Sequence, residues 1–250
     1  MPNIHSNISF MLVNIPVILN PIIHDNDIPF NQLHKKCLNR IKYIKYCPKC
    51  KKDLKEIDII KGYQYDKDSY ITFNKEELNK LKIPNEKEIE VVGFLNLNEI
   101  EPYYFEKSFY LTSDTNSKPY KLFSETLKQT KLVALCKTVL GSKFYYSIIR
   151  FNPKGLLMTT LYFYEEVNIP NNNIDKTISK KELDLAIKLV DEMKIKFNPK
   201  EYIDLYQNNI KNAIDDKLNG KTIKSAKKTD KKKINDLMKA LEKSLKDVKL

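Results

Sequence analysis

Residues 144–163 read Phe144-Tyr145-Tyr146-Ser147-Ile148-Ile149-Arg150-Phe151, then Asn152-Pro153-Lys154-Gly155, then Leu156-Leu157-Met158-Thr159-Thr160-Leu161-Tyr162-Phe163. Two runs rich in aromatic and β-branched residues flank a four-residue connection with Pro and then Gly. That is the pattern of a β-hairpin. Upstream, Leu132 to Leu140 reads as a buried strand and Ile89 to Phe94 as another. Tyr63, Tyr65, Tyr70, Ile71 and Phe73 fall around Asp66-Lys67-Asp68-Ser69, which predicts a second hairpin. Residues 4–19 are expected to form one buried strand, with a bend or an edge position at Asn14-Ile15-Pro16. Helices are short and few. Asn74 with Glu77 forms a capping box for a helix through Leu81, and Tyr120, Phe123 and Leu127 place a helix over Pro119 to Gln129. Short strands dominate to about residue 167, which predicts a β-barrel or sandwich with a few helices.

The period then changes. Ile169 to Thr177 carries Pro170 and three consecutive Asn residues and reads as a linker. Ser179 and Glu182 cap a helix in which Leu183, Ala186, Ile187, Val190, Met193 and Phe197 share a face. Asn198-Pro199 is expected to start a second helix bearing Tyr202, Tyr206, Ile210, Ala213 and Ile214, closed by Gly220. Residues 221–233 are Lys-rich without apolar periodicity and read as a disordered tether. A last amphipathic helix over 234–250 carries Ile234, Leu237, Met238, Leu241 and Leu245 in one stripe. Such a helix either folds back on the body or docks in a partner's groove.

The chain has 250 residues, 42% of them hydrophobic, enough for a core. No apolar run approaches the length of a membrane helix, and no leader peptide is expected at the N-terminus. Neither a Gly-rich phosphate loop nor a dinucleotide fingerprint is present. Lys and Arg total 44 against 32 Asp and Glu, a net charge of +12. The excess sits in two segments. Lys35 to Lys52 holds eight basic residues (Lys35, Lys36, Arg40, Lys42, Lys45, Lys49, Lys51 and Lys52) and no acid. Residues 217–250 hold twelve Lys against four acids. The body between them is mildly acidic. Concentrated positive charge with interleaved Tyr43 and Tyr46 points to a polyanionic partner, nucleic acid foremost.

His34 and Cys37 are followed by Cys47-Pro48-Lys49-Cys50. Two short-spaced pairs supply four donors of the kind a structural Zn²⁺ takes, and a closed tetrahedral site of this type implies no catalysis. Free thiols in a reducing compartment are the alternative. Cys136, within Val133-Ala134-Leu135-Cys136, is expected in the core.

Several stretches resemble the bacterial Ku family of DNA-end-binding proteins. They are Asn7-Ile8-Ser9-Phe10-Met11-Leu12-Val13-Asn14-Ile15-Pro16-Val17, Asp27-Ile28, Leu33-His34-Lys35-Lys36, Arg40-Ile41-Lys42-Tyr43, Cys47-Pro48-Lys49-Cys50 and Ile60-Lys61-Gly62-Tyr63-Gln64-Tyr65. The likeness continues through Glu99-Ile100-Glu101-Pro102-Tyr103-Tyr104-Phe105, Phe109-Tyr110-Leu111, Phe197-Asn198-Pro199-Lys200-Glu201-Tyr202 with Tyr206, and Ile234-Asn235-Asp236-Leu237-Met238-Lys239-Ala240-Leu241. It is collinear over nearly the whole chain. The sequence departs from it at Ile4-His5-Ser6-Asn7, where a Trp-Lys-Gly-Ser-like run is usual, and at Met11, where Gly is usual.

The resemblance implies an α+β chain: a β-barrel core with a bridging arm, followed by C-terminal helices. It divides the chain into a barrel core over 1–168 with a DNA-encircling arm at about 30–60, and a helical segment over 178–220 that packs on the core or the dimer partner. The tether over 221–233 and a ligase-recruiting helix over 234–250 complete it. It implies a homodimeric ring that threads the ends of linear double-stranded DNA without sequence specificity. The ring recruits an ATP-dependent DNA ligase in non-homologous end joining repair of double-strand breaks. Lys35, Lys36, Arg40, Lys42 and Lys45 are the expected phosphate contacts, with Arg150 a further candidate. Ile234, Leu237, Met238, Leu241 and Leu245 are the expected ligase contacts. No cofactor is required beyond a possible structural Zn²⁺ on His34, Cys37, Cys47 and Cys50. The chain is not expected to be an enzyme, and cytoplasmic, nucleoid-associated placement follows. The alternatives are a generic basic nucleic-acid-binding protein and a zinc-containing nucleic-acid enzyme.

Overall fold

The computed structural model describes residues 4–83, 88–113, 117–171, 177–223 and 241. The chain folds as two units. One holds residues 31–169 and the segment up to Asn26. The other holds Asp27–Phe30 and the chain from Pro170 onward.

The first unit opens with β1 (Ile4–Phe10) and β2 (Val13–Pro21), a hairpin rather than the single strand expected over residues 4–19. Met11 and Leu12 form the turn, 92% and 102% exposed, so the apolar alternation through Leu12 misleads. Met11 holds φ 52, in the region where Gly is at ease and other residues are strained. The Gly that the resemblance leads one to expect there would hold this turn without strain. Of the two expectations for Pro16 the edge position holds and the bend does not: it stands inside β2 opposite Asn7, in a stretch that the next strand does not pair with.

Small elements follow: β3 (Tyr46–Cys47) with β4 (Lys52–Asp53), then β5 (Lys61–Asp66) with β6 (Ser69–Phe73), and α1 (Lys75–Lys80). The second pair is the hairpin expected there, turning at Lys67-Asp68. Asn74 and Glu77 form the expected capping box, with reciprocal bonds of 2.8 Å. No described residue from Asn31 to Ile83 is buried.

The barrel resumes with β7 (Glu88–Leu95), β8 (Phe105–Thr112), α2 (Lys118–Thr130), β9 (Val133–Leu140), β10 (Lys143–Asn152) and β11 (Gly155–Leu161). Seven strands close in the order β1-β2-β8-β11-β10-β9-β7, and a parallel pairing of β1 with β7 through Ile8 and Ile89 shuts the ring. The architecture is thus a barrel, not a sandwich. β8 was legible only through its resemblance motif, because Pro102 and the short turns before it obscure the alternation. The core takes every second residue of β1, β2 and β7 (Ile8, Ile15, Val17, Leu19 and Ile89) and adds Leu111, Ile149, Leu156 and Met158. Phe123 and Leu127 of α2 enter the same core, and Cys136 is fully buried with them.

The hairpin of β10 and β11 turns at Pro153-Lys154, between the paired Asn152 and Gly155. Gly155 holds φ 136, and a Cβ there would lie 3.3 Å from the Tyr120 hydroxyl. That hydroxyl donates to the Leu111 carbonyl at 2.6 Å and accepts from the Leu156 amide at 3.1 Å.

In the second unit, α3 (Lys180–Glu192) starts at the expected Ser179–Glu182 capping box. It ends before Phe197. The following helix does not begin at Asn198: Pro199–Glu201 make one tight 3-10 turn, and α4 (Leu205–Leu218) starts only at Asp204. Each has its own cap: Asn198 accepts from the Lys200 amide at 3.3 Å and starts only the 3-10 turn, and Asp204 Oδ1 accepts from the Gln207 amide at 3.0 Å and starts α4. Gly220, with φ 71, follows the end of α4. The tether beyond Ile223 and the stripe of Ile234, Leu237, Met238 and Leu245 lie outside the described residues; Leu241 alone is described, in helical conformation.

Candidate nucleic-acid interface

The basic stretch from Lys35 to Lys52 is folded by two tight turns. In the first, Leu33 bridges Arg40, and the Leu38 amide donates to the His34 carbonyl at 2.8 Å. Lys35 and Lys36 ride on that turn, between His34 and Cys37. In the second, β3 and β4 pair Cys47 with Lys52 around Pro48-Lys49-Cys50. All eight cations are exposed. Among the described residues only Lys45 of this group pairs with a carboxylate, that of Glu56, and both partners are exposed. The Lys45 ammonium holds the Glu56 carboxyl below its usual range. Lys45 is therefore partly neutralised, while Lys35, Lys36, Arg40 and Lys42 present their charge to solvent. An array of exposed cations of this kind is suited to backbone phosphates, whose contacts give affinity without sequence preference.

Arg150 lies elsewhere. It sits on β10 opposite Leu157 and lines a groove of about 200 Å³ with Leu97, Leu127, Lys128, Lys131 and Phe151. Lys128 stands 5.7 Å from the centre of the Phe151 ring and reaches Glu125 at 3.3 Å. Three cations converge there, and no carboxylate lines the groove. Lys128 and Lys131 were not singled out from the sequence, where the helix was read by its apolar positions. Lys128 stands three residues after Glu125, a spacing that signals an ion pair on a helix face and not a link to a strand twenty residues on.

The four candidate metal donors form two local pairs. His34 Nδ1 lies 3.0 Å from Cys37 Sγ. The Cys50 amide approaches Cys47 Sγ at 3.5 Å, and this bond, a bond from the Cys50 thiol, the Lys49 amide and the Lys52 charge lower the Cys47 thiol pKa. Cys50, sharing its proton with Cys47, is raised. The residue after each second donor, Leu38 and Lys51, holds a positive φ of 56 and 52. Both pairs thus occupy turns of one kind, with donors soft enough for Zn²⁺. The two pairs do not converge: among the described residues no three His, Cys, Asp or Glu side chains gather as a metal site. Burial pushes the Cys136 thiol well above its ordinary value and sets it apart as a core residue.

Residues 9–185 match the family model of the Ku70/Ku80 β-barrel domain. The chain belongs to the Ku family. It is 36% identical over 242 residues to the non-homologous end joining protein Ku of Lachnoclostridium phytofermentans, covering 96% of this chain and 94% of that protein. It is 34% identical to the proteins of the same name from Desulfitobacterium hafniense and Bacillus subtilis, covering 96% of this chain in both cases and 85% and 79% of those proteins. The Ku match runs from β1 into the first turns of α3. It includes the basic stretch, both donor pairs and the Arg150 groove. No helix among the described residues of this Ku chain is long and apolar enough to cross a membrane.

Proposed function

We propose that the protein binds the ends of linear double-stranded DNA as a homodimeric ring and serves non-homologous end joining. The carrying observation is an arm-like stretch of solvent-facing cations, Lys35, Lys36, Arg40 and Lys42, mounted on a Ku barrel. Phosphate contacts give affinity without sequence preference, and a closed path around the duplex is what separates ends from circles. The Lys128, Lys131 and Arg150 groove is a further place on the barrel where a backbone phosphate finds cations, with Lys128 partly neutralised by Glu125.

Dimerisation is supported by the arm itself. Tyr63, Tyr65 and Ile71 of the β5–β6 hairpin are half or more exposed, and no described residue from Asn31 to Ile83 is buried. A segment of that length does not order itself without a surface to pack on. A second copy supplies one. The reading assigns the chain no chemistry of its own, a nucleoid-associated cytoplasmic place, and recruitment of an ATP-dependent ligase through Ile234, Leu237, Met238, Leu241 and Leu245. A structural Zn²⁺ on His34, Cys37, Cys47 and Cys50 belongs to the same reading: each turn presents one half of the donor set, and holding the ion requires the two turns to draw together.

The test is competition for a labelled linear duplex at fixed moderate salt. Short linear fragments are expected to compete and an equal mass of covalently closed circular plasmid is not. Equal competition by circles makes the protein a generic polyanion binder and ends the ring reading.

A further inference from the structure

Gln207 is the one buried residue among the described positions of α3 and α4, at 7% exposure, and it is polar. A buried amide is costly unless both its ends are bonded. Both are, and by the same distant segment. Gln207 Nε2 donates to Asp27 Oδ1 at 2.7 Å, and the Ile28 amide donates to Gln207 Oε1 at 3.1 Å. The backbone of Gln207 is fixed in turn by the Asp204 cap at 3.0 Å. Asp27–Phe30 accordingly groups with the helical unit, although the chain on either side of it belongs to the other unit. These four residues lie in the passage from β2, which ends at Pro21, to the basic stretch that starts at Lys35.

We propose that the Asp27–Gln207–Ile28 clasp anchors the root of the arm, which makes Gln207 a positioning residue for the retention of DNA ends rather than a DNA contact. The inference rests on the end-binding reading above. A loop of free chain between β2 and the arm leaves the cations of the arm a wide range of positions. Pinning it by two hydrogen bonds to a capped helix narrows that range before DNA arrives, so less order has to be imposed on binding.

The chemistry of the clasp gives its own test. Gln207→Glu keeps the shape and the acceptor for the Ile28 amide but sets a carboxylate against that of Asp27. Asp27→Asn retains an acceptor. The double variant Asp27→Asn with Gln207→Glu restores a donor–acceptor pair in the opposite sense, at the wild-type net charge. In the full-length protein, dissociation from a labelled linear duplex is expected to speed up roughly tenfold in Gln207→Glu, the size of effect an unpaired buried group produces. Asp27→Asn alone and the double variant are expected within about twofold of wild type by the same reasoning, and the salt slope is expected to stay constant throughout, because no phosphate contact is removed. Gln207→Leu, which alters no charge, is expected to behave as Gln207→Glu. Wild-type dissociation in Gln207→Glu, or a double variant as fast as the single one, overturns the proposal. Circular plasmid competing equally with wild type strikes instead at the end-binding reading, so the two failures are distinct.

Discussion

The hydroxyl of Tyr120 ties two strands of the barrel together from a helix. Leu111 and Leu156 stand opposite each other at the meeting of β8 and β11, and the phenol bonds the carbonyl of one and the amide of the other. Tyr120→Phe leaves both groups without that partner and is expected to lower stability by about 1–3 kcal/mol; a denaturation midpoint equal to wild type would remove the bridge from the account. The sequence marked Tyr120 as one apolar position of a helix, since nothing in its spacing says where a hydroxyl points. The same limit held for the cations. Arg40 and Lys42 were legible as candidate phosphate contacts because they lie in a stretch without acids, yet the pairing of Lys45 with Glu56 joins residues eleven apart through a turn that no local pattern announces. Arg40→Ala with Lys42→Ala is expected to weaken binding to all duplex sequences alike and to reduce the salt slope by up to about 2, one unit per released phosphate contact. An unchanged slope takes these two residues off the DNA path.

At the scale of elements, reciprocal capping boxes transferred directly from sequence to structure, while a lone capping residue did not fix the element it starts. Ser179 and Glu182 are the case that worked. The Ser179 hydroxyl and then its amide bond the Glu182 carboxylate at 2.6 and 2.9 Å and hold its pKa below the ordinary value. A depressed carboxylate contributes stability that is present above its unfolded pKa and lost as pH falls through the folded one. Hydrogen exchange at the Glu182 amide is therefore expected to lose protection in acid in wild type more steeply than in Glu182→Gln, which keeps the acceptor and does not titrate. Parallel curves would detach the cap from the charge. Asn198-Pro199 failed because a capping residue and a helix-starting proline satisfy a single 3-10 turn as readily as a long helix. The hairpin of β1 and β2 was missed for a different reason: Met11 occupies a turn position by φ alone, and only comparison with a usual Gly marks it. The donor turns at His34–Cys37 and Cys47–Cys50 were found by spacing, which fixes each pair but not the distance between pairs. Metal analysis of the purified protein is expected to give one Zn²⁺ per chain, reduced by Cys47→Ser together with Cys50→Ser, and proteolysis of residues 31–60 is expected to quicken on chelation. Metal-free protein with an unchanged cleavage pattern excludes the ion.

The whole molecule divides its cohesion unevenly. The barrel buries a continuous core from Ile8 to Met158, with α2 packed into it. The stretch from Asn31 to Ile83 buries nothing among its described residues, and α3 and α4 bury only Gln207. Composition could show that enough apolar material existed for a core, but not that it is shared out so unequally, because Tyr63, Tyr65 and Ile71 alternate as convincingly as the strands that close the barrel. Alternation states that a strand has an apolar face; it does not state which chain covers that face. If a second copy covers it, part of the stability of each chain comes from association, and mass action then makes the unfolding temperature depend on protein concentration. The midpoint is expected to rise across a hundredfold range of concentration, and Tyr63→Glu with Ile71→Glu, placing charge on the β5–β6 face, is expected to abolish that rise while the barrel still melts cooperatively. A midpoint independent of concentration, with a monomer in sedimentation, would mean that the exposed arm stands without a second copy, and the closed path around DNA would lose its means of closure.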